Sequence, residues 1–594
     1  MPTPETFPSS PLLLRAGPIT LQYDPAAGDI RYIRWGGREI LRRVYAAVRD
    51  ETWFTVPATL TETVREIGAD RFRIEYEARH TRGAVDFRWQ GTITGEADGT
   101  VTFAFDGEAL STFQRNRIGI CVLHPAPLAG ADCRVTHTSG EEEAGTFPDT
   151  IAPHQPFFEI AAIAHEVVPE VRATVRFSGD AFEMEDQRNW LDASFKTYST
   201  PLALPMPVLV PPGTRVRQSV TLSLSGGAAL TPPDSLVAPA VCTVGERTDF
   251  GMPGVGLSLP SEVPATLDPF AELLLNGFPV DYYQATLNAA APGFGDALTG
   301  ALEAAEGAGK RLVVALRNAS ALPDALPAEA EAVYLWLVVP PTPEGLTHAR
   351  SVLPDQGNRI VGGAAGGNFT DLNRQRPGPG DWEAIGFAGS PQVHAFDRLS
   401  ILETPPTIAD TLRTARTFTD APLFVGPLTF YGSYQRDDPR QRSVLAAVWY
   451  FAALAYAVSG GANHITLCET VGPRGILDTD GTAYPLYHLL NGLMEAAQGA
   501  VCQVTVSDPL SLAALAFDTL TGGQRVLLAN LTDRPLRVAL RGVRNTEMAG
   551  LRLLSEASEG SFSQTETITP EPDGSFSLTL PGFSVARLFL ETPR

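Results

Sequence analysis

Arg311-Leu-Val-Val-Ala-Leu316 and Ala332-Val-Tyr-Leu-Trp-Leu-Val-Val339 are two short, almost wholly apolar runs separated by a stretch of helical character. Such runs are typical of buried parallel strands, because crossover helices cover both faces of a parallel sheet. Six more lie between about residues 250 and 500, at 255–259, 279–283, 359–362, 392–396, 423–428 and 464–468. Eight strands over roughly 250 residues predict one complete (β/α)8 TIM barrel, since a doubly wound sheet usually has fewer.

The sequences on either side of this region predict antiparallel sheet. From residue 18 to about 240, apolar and polar residues alternate, as in Ile19-Thr-Leu-Gln-Tyr23, with Gly and Asp turns between the runs. A Pro/Ala-rich connector at 231–240 follows, and from about residue 505 runs such as Ser575-Phe-Ser-Leu-Thr-Leu580 return to sheet. We therefore predict a multidomain α/β plus β protein: an N-terminal β-sandwich at 1–245, the barrel at 246–504 and a C-terminal β-sandwich at 505–594.

Composition narrows the classes of partner and compartment. The 594 residues include 67 acidic and 45 basic side chains, and the net charge of −22 repels phosphate backbones and anionic headgroups. We expect neither a nucleic-acid nor a membrane partner. Five scattered cysteines without a CxxC pair, and a chain start without a basic region followed by a long apolar one, favour a reducing, cytoplasmic location.

The sequence motifs of three common enzyme classes are absent. The sequence has no G-x-S-x-G nucleophile elbow, no H-x-H on the first barrel strand and no G-x-x-x-x-G-K-[ST] phosphate loop. These absences weigh against an α/β-hydrolase esterase, a binuclear metallohydrolase and a phosphate-loop enzyme.

Candidate site residues follow the predicted strands, because barrel active sites lie where the strands end. The polar residues at these positions are Asn368, Asp371, Asn373 and Arg374 after the fifth run, His394 in the sixth, and Glu469 and Arg474 after the eighth. Carboxylates and a histidine suit general acid and base chemistry, and amides suit sugar hydroxyls. Structural alternatives stay open: an ion pair of Glu469 with Arg474, helix capping by Asp371 or by the asparagines of the same loop, and a buried structural histidine. Glu403 is a further candidate, or part of a solvated helix face.

The densest polar segment lies before the barrel, from Glu183 to Tyr198. Its candidate ligands for a substrate are Arg188, Asn189, Trp190 and Lys196. Two interpretations remain: the segment reaches the barrel mouth and binds substrate, or it forms an ionic clasp between domains.

Six segments carry a resemblance to a known family. They are Asn116-Arg-Ile-Gly-Ile-Cys-Val-Leu-His-Pro125, Phe147-Pro-Asp-Thr-Ile-Ala-Pro-His-Gln-Pro-Phe157, Glu185-Asp-Gln-Arg-Asn-Trp-Leu-Asp-Ala-Ser-Phe-Lys-Thr-Tyr198, Asn368-Phe-Thr-Asp-Leu-Asn-Arg374, Gln392-Val-His-Ala-Phe-Asp397 and Glu469-Thr-Val-Gly-Pro-Arg-Gly475. In their order along the chain they resemble bacterial D-apionate lactonases. The resemblance implies hydrolysis of the lactone of a branched-chain aldonic acid in apiose breakdown. Asp371 stands where that family's pattern has Glu, and Pro473 where it has Trp, so the lactone of another sugar acid stays open as substrate.

We therefore predict a carboxylic ester hydrolase that acts on a small sugar lactone. No cofactor or metal is demanded by this chemistry, although a set of carboxylates and a histidine could hold a divalent ion. Lactone hydrolysis needs a base for water and donors for the developing oxyanion. Glu469 or Asp371 is the expected base and His394 the alternate base or the acid, with Arg374 or Arg474 near the carbonyl.

Two other functions stay open. A sandwich-and-barrel glycoside hydrolase would use paired carboxylates, usually after strands four and seven, but Trp336-Leu-Val-Val-Pro340 and Val425-Gly-Pro-Leu-Thr429 end those strands without one. A non-catalytic carbohydrate-binding protein would instead have exposed, mutually distant carboxylates.

Overall fold

Residues 11–226, 238–260, 268–324, 326–353, 360–378, 380–432, 437–494, 499–520, 522–544 and 547–590 are described by a computed structural model of the protein. The chain forms two compact units. The first comprises Met1–Arg188 and Ala193–Ala238, and the second comprises Asn189–Asp192 and Pro239–Arg594.

The described part of the first unit is built from β-strands. They are β1 (Leu12–Ala16), β2 (Ile19–Asp24), β3 (Asp29–Trp35), β4 (Arg38–Asp50), β5 (Ala58–Ile67), β6 (Phe72–Arg82), β7 (Val85–Gly95), β8 (Val101–Ala109), β9 (Phe113–Pro125), β10 (Asp132–His137), β11 (Glu142–Thr146), β12 (Ile160–Val168), β13 (Val171–Ser178), β14 (Glu183–Asp186), β15 (Ser194–Tyr198), β16 (Val208–Val210) and β17 (Arg215–Ser225).

These strands form two antiparallel sheets that share a hydrophobic core. One sheet has the order β1-β2-β3-β4-β9-β15-β14, with β16 also paired to β9, and the other has the order β11-β10-β12-β13-β17-β8-β7-β6-β5. The alternation seen in the sequence explains the core. In β6, for example, Phe72, Ile74 and Tyr76 point inward and the residues between them do not.

Two of the buried histidines in this unit, one from each sheet, pack beside the same phenylalanine. His124 on β9 and His165 on β12 lie on either side of Phe147, with ring centroids 5.6 and 6.0 Å from that phenyl ring. Burial lowers the pKa of His124 to about 3, with a further contribution from His165, and lowers that of His165 to about 4. Both rings are therefore neutral in the folded protein at neutral pH.

The second unit combines α/β and all-β regions. Its elements are β18 (Ala240–Arg247), β19 (Gly254–Ser258), α1 (Pro269–Asn276), β20 (Tyr282–Asn288), α2 (Phe294–Gly307), β21 (Arg311–Arg317), β22 (Val333–Val339), α3 (Pro343–Val352), β23 (Ile360–Ala364), α4 (Phe369–Arg374), β24 (Ile385–Gly389), α5 (Arg398–Glu403), α6 (Pro406–Ala415), β25 (Leu423–Leu428), α7 (Val444–Ser459), β26 (His464–Glu469), α8 (Pro485–Met494), β27 (Val501–Val506), β28 (Leu512–Asp518), β29 (Gln524–Asn530), β30 (Leu536–Arg541), β31 (Ala549–Leu554), β32 (Glu566–Ile568), β33 (Phe576–Leu580) and β34 (Ser584–Leu590).

Strands β19 to β26 form a closed barrel in chain order, and every pair is parallel. Closure comes from β26 pairing with β19, in a register that sets Gly254 opposite His464 and Leu257 opposite Leu467. The predicted eight-stranded parallel barrel is thus confirmed.

The sixth strand was predicted in the wrong place. Residues 392–396 lie in the loop after β24, and β24 itself is the short Ile385-Gly-Phe-Ala-Gly389. Small residues serve packing here, because a Cβ on Gly386 would come within 2.9 Å of the Ala364 Cβ. Strand β24 therefore lacks the long apolar run that identifies barrel strands such as β22 in the sequence. The second run, 279–283, covers only the start of β20, which continues through buried, polar Gln284; Arg359 of the fifth run lies outside the described residues.

The C-terminal sheet has the order β32-β31-β34-β29-β28-β27-β18-β30-β33. Strand β18 precedes the barrel in sequence, yet it pairs with β27 and β30 of this sheet. The sequence interpretation grouped residues 240–245 with the N-terminal domain. They pair here instead because Cys242 and Val244 bury their side chains in the core of the C-terminal sheet. Most of the connector at 231–240 lies outside the described residues.

Two further sequence features have structural counterparts. In the part of the chain that the structure describes, no helix is both long and apolar enough to cross a membrane. The most apolar helix, α7, is buried over nearly its whole length within the second unit. All five cysteines are buried and form no disulfide.

Lowering the pH from 6.5 to 5 is expected to destabilise the first unit. Its folded form keeps His124 and His165 neutral because burial lowers their pKa values to about 3 and about 4, whereas the unfolded chain takes up protons below about pH 6.5. Stability is therefore complete above pH 6.5 and is lost toward the folded-state values, by about 1.4 kcal/mol per pH unit for each histidine.

Urea unfolding of the His165→Leu variant between pH 5 and 7 tests this expectation. The variant should lose the part of the histidine-dependent slope that His165 contributes, while the buried His80 and His124 keep theirs. His154→Leu, at an exposed position, should keep the wild-type slope. Equal slopes in the two variants would contradict the assignment.

Candidate active site

The candidate residues of the second unit follow four neighbouring barrel strands, β23 to β26. Helix α4 and its N-terminal flank follow β23, His394 follows β24, Tyr431 follows β25 and Glu469 ends β26. Since all eight strands are parallel, their carboxyl ends form one mouth of the barrel. The loops that carry these residues therefore open on the same end.

His394 is held by an aspartate from a distant part of the chain. Its Nδ1 atom lies 2.6 Å from Oδ2 of Asp192, and the two side chains are only 15% and 14% exposed. The ring of Trp190 packs against the imidazole at a centroid distance of 5.4 Å and an angle of 77°. Among the described residues, none hydrogen-bonds to Nε2 of His394.

Asp192 and Trp190 belong to the segment Asn189–Asp192, which is part of the second unit although the residues on either side belong to the first. Asn189 accepts a 3.0 Å hydrogen bond from Nδ2 of Asn373 on α4. The backbone carbonyl of Leu191 accepts a 2.7 Å bond from Oγ1 of Thr407 on α6. Both bonds are buried, so the segment is fixed at the barrel.

A glycine makes room for this segment. A Cβ on Gly389, the last residue of β24, would lie 2.7 Å from Cδ1 of Leu191. Leu191 is itself buried and has a φ of 71°, which a residue with a side chain rarely adopts without contacts that enforce it.

Two residues of α4 complete this cluster. The Arg374 guanidinium lies 5.5 Å from the centroid of the Trp190 ring, which is within cation–π range. The Asn373 amide is buried, and its Oδ1 accepts hydrogen bonds of 3.1 and 2.6 Å from Arg376. The structure thus brings together Asn189, Trp190, Asn373, Arg374 and His394, all predicted site residues, and adds Asp192.

Glu469 and Arg474 form a second cluster with Tyr431. The Arg474 Nη2 lies 3.3 Å from Oε1 of Glu469, whose side chain is 8% exposed, and the guanidinium lies 5.6 Å from the Tyr431 ring centroid. Burial, and next the charge of Glu469, raise the pKa of the Tyr431 phenol. Tyr431 is therefore a neutral hydrogen-bond donor at neutral pH.

Hydrogen bonds join the loops of the two clusters. Ser390 donates from Oγ to the Tyr431 carbonyl at 3.0 Å, and the fully buried Gln392 donates from Nε2 to the Phe430 carbonyl at 2.6 Å. Arg440 in turn donates to Oε1 of Gln392 at 3.0 Å. The loop that carries His394 is thus held against the loop that carries Tyr431.

Asp371 and Asn368 lie nearby on the chain but are not bound into either cluster. Within the described residues, neither side chain forms a hydrogen bond. Asn368 stands at the N-cap of α4 without capping it, so the predicted alternative of helix capping does not hold for this side chain. Asp371 is exposed, yet partial desolvation by the surrounding protein raises the pKa of its carboxyl. The positive charge of Arg374 acts in the opposite direction.

Arg188 and Lys196 lie in the first unit with partners of their own. The Arg188 side chain is wholly buried and pairs with Asp186 through bonds of 2.9 and 2.7 Å. Lys196 forms an ion pair with Glu185, and both side chains are mostly buried. Both ion pairs therefore lie within the first unit, and neither joins one domain to another. Glu403 is buried at the end of α5 and not on a solvated face.

Two residues of the site were missed from sequence. Tyr431 lies two residues beyond Thr429, further from the end of the seventh strand than the residues predicted there, and its polar side chain is the signal that marks it. Asp192 lies inside the polar segment, but nothing in the sequence links it to His394. Over the described ranges, no group of three His, Cys, Asp or Glu side chains is placed to hold a metal ion.

Comparison with known proteins identifies relatives along the chain. Three family models match: the N-terminal domain of D-apionate lactonase over residues 3–227, its TIM barrel domain over 335–498 and its C-terminal immunoglobulin-like domain over 509–588. A D-apionate lactonase from Brucella anthropi is 30% identical over 588 residues, and the match covers 90% of this chain and 94% of that protein.

The solved structures to which this chain is similar include two glycoside hydrolases of low sequence identity. A GH30 endoxylanase from Clostridium papyrosolvens has a TM-score of 0.41 at 13% identity, covering 60% of this chain and 100% of that one. A GH51 arabinofuranosidase from Xanthomonas axonopodis pv. citri has a TM-score of 0.44 at 10% identity, covering 59% and 100%.

Arg188→Ala is expected to destabilise the first unit by about 3–5 kcal/mol, because it leaves the buried Asp186 carboxylate without its cation. The matched control is Arg79→Ala, which removes a similar two-bond pair with Asp86 at an exposed position and should barely change the melting temperature. Thermal unfolding of both variants checks the difference. An unchanged melting temperature in Arg188→Ala would show that the buried pair does not stabilise the first unit.

Proposed function

This chain belongs to the D-apionate lactonase family, and from that premise we propose that it opens the ring ester of a sugar-acid lactone, D-apionolactone, to give D-apionate. The observation that carries the proposal is the mostly buried imidazole of His394 at the barrel mouth, whose Nε2 atom is free of hydrogen bonds among the described residues. An imidazole is the side chain best suited to take a proton from water near neutral pH.

His394 is the proposed base, and Glu469 is proposed to orient the groups that bind the lactone carbonyl oxygen. The Glu469 carboxylate already pairs with Arg474, so its Oε1 atom faces a cation. The same pair orients the Arg474 guanidinium beside the neutral Tyr431 phenol. Arg474 and Tyr431 together supply donors for the negative charge that develops on the lactone carbonyl oxygen.

The reaction then proceeds in two steps. Nε2 of His394 takes a proton from water while the water oxygen bonds to the lactone carbonyl carbon, and the carbonyl oxygen becomes an oxyanion held by Arg474 and Tyr431. The carbonyl re-forms, the bond from carbon to the ring oxygen breaks, and the imidazolium returns its proton to that oxygen. One water is consumed, and the product is the open-chain hydroxy acid.

The remaining predicted residues are proposed to bind the sugar hydroxyls. The side chains of Asn368 and Asp371 form no hydrogen bond within the described residues, and both residues follow β23 at the same mouth. Trp190 offers a flat apolar surface beside Arg374, and Asn189 with Asn373 fixes its position. Arg188 and Lys196 are not proposed to contact the substrate, because each forms an ion pair with a carboxylate of the first unit.

Glycoside hydrolysis is disfavoured by the ends of the fourth and seventh strands. Strand β22 ends at Val339 and is followed by Pro340, and β25 ends at Leu428 and is followed by Thr429. The usual pair of carboxylates is therefore missing from these two positions.

The purified protein is expected to hydrolyse D-apionolactone, followed by acid release in a pH-stat, and to leave nitrophenyl glycosides intact. His394→Gln should lower kcat by about 10²- to 10⁴-fold, because the amide cannot accept a proton at neutral pH. Glu469→Gln should lower it less, since the amide can still accept a hydrogen bond from Arg474.

His488→Gln is the matched control, because His488 lies on α8 and not in a loop that follows a barrel strand. It should keep the wild-type rate, and all variants should keep the wild-type melting temperature. Full activity in His394→Gln together with its loss in Glu469→Gln would make Glu469 the base. Hydrolysis of glycosides and not of lactones would overturn the proposed function.

A further inference from the structure

We propose that Asp192 is a positioning residue for this reaction, which holds the His394 imidazole in the tautomer and orientation that leave Nε2 free to take the proton of water. The inference rests on the proposed lactone hydrolysis and adds to it a residue outside the barrel's own sequence. Asp192 does not touch the reacting atoms; it acts through His394.

The contact between the two side chains fixes the tautomer. A carboxylate carries no proton at neutral pH and can only accept hydrogen bonds, so Nδ1 of His394 must be the nitrogen that donates across the 2.6 Å contact. In the neutral ring the lone pair is then on Nε2. Because both side chains are mostly buried, water competes little for this bond.

The surroundings fix the orientation of the ring. Trp190 packs against His394 at 77° and restricts its rotation, and Arg374 lies over the Trp190 ring. Asp192 itself is fixed through its neighbour Leu191, which packs against Gly389 and accepts the bond from Thr407. The contacts of Trp190 with His394 and of Leu191 with Gly389 and Thr407 thus hold the two side chains in place, in addition to the hydrogen bond between them.

The same contact also serves the charged intermediate. After His394 has taken the proton, the Asp192 carboxylate faces an imidazolium, and the pair becomes a charge-assisted hydrogen bond in a sheltered place. The interaction is therefore stronger in the transition state than in the resting enzyme, which is the condition for a contribution to kcat.

Asp192→Asn tests the assignment most directly. The asparagine amide can donate to Nδ1, which moves the imidazole proton to Nε2 and blocks the base. We expect kcat for D-apionolactone to fall by about 10²- to 10⁴-fold with little change in KM. Asp192→Ala should lose less activity, since it removes the acceptor without adding a competing donor.

The double variant Asp192→Asn, His394→Gln should be no slower than His394→Gln alone, because the two residues act as one unit. Asp410→Asn is the control: Asp410 is a carboxylate on α6 that pairs with the exposed Arg413, and its substitution should leave kcat unchanged. Nitrogen NMR of protein labelled in histidine gives a readout without turnover. The His394 signal, assigned from His394→Gln, should report Nδ1 protonation in the wild type and the other tautomer in Asp192→Asn.

The outcomes separate this inference from the proposed function. If the wild type hydrolyses the lactone and Asp192→Asn keeps the wild-type kcat, Asp192 is not a positioning residue while the lactonase function stands. The same conclusion follows if the loss appears only in the melting temperature or multiplies with that of His394→Gln. If the wild type hydrolyses no sugar-acid lactone, the proposed function fails and takes this inference with it, whatever the tautomer.

Discussion

The pairing of β26 with β19 is the constraint on which the candidate site depends. It closes eight parallel strands into a ring, and a closed parallel ring has all its strand ends at the same mouth. Residues far apart in the chain, such as Asn373 and Glu469, are brought to that mouth by the parallel pairing of β23 to β26 within this ring. Strand β18 before the barrel and β27 after it are also paired, so the chain enters and leaves the barrel through one sheet.

Hydrogen bonds of polar side chains act together with apolar packing to shape the mouth. Loops have few backbone partners of their own, and a buried loop carbonyl without a partner is unfavourable. Gln392 and Ser390 supply such partners for the carbonyls after β25, and Arg440 supports Gln392. Two loops that would otherwise move independently are joined, and this is the kind of support that a precise catalytic geometry needs.

The sequence predicted what depends on local pattern and missed what depends on distant pairing. A long apolar run predicts a strand such as β22, which is buried on both faces. Alternation of apolar and polar residues predicts a strand such as β6, which is buried on one face. Strand β24 escaped because close packing there selects glycine and alanine, which do not look like a strand. The contact between Asp192 and His394 joins residues 202 positions apart, and no local pattern records such a partner.

The segment Asn189–Asp192 has a consequence for how this chain can be divided and how it can evolve. A barrel excised at its own strand boundaries would lack the acidic partner of its histidine, so the unit that is inherited as a block is larger than the barrel. Exchange of the first domain between relatives would also exchange Asp192 and Trp190. Recombination at the connector before β18 is therefore constrained by four residues that lie well upstream of it.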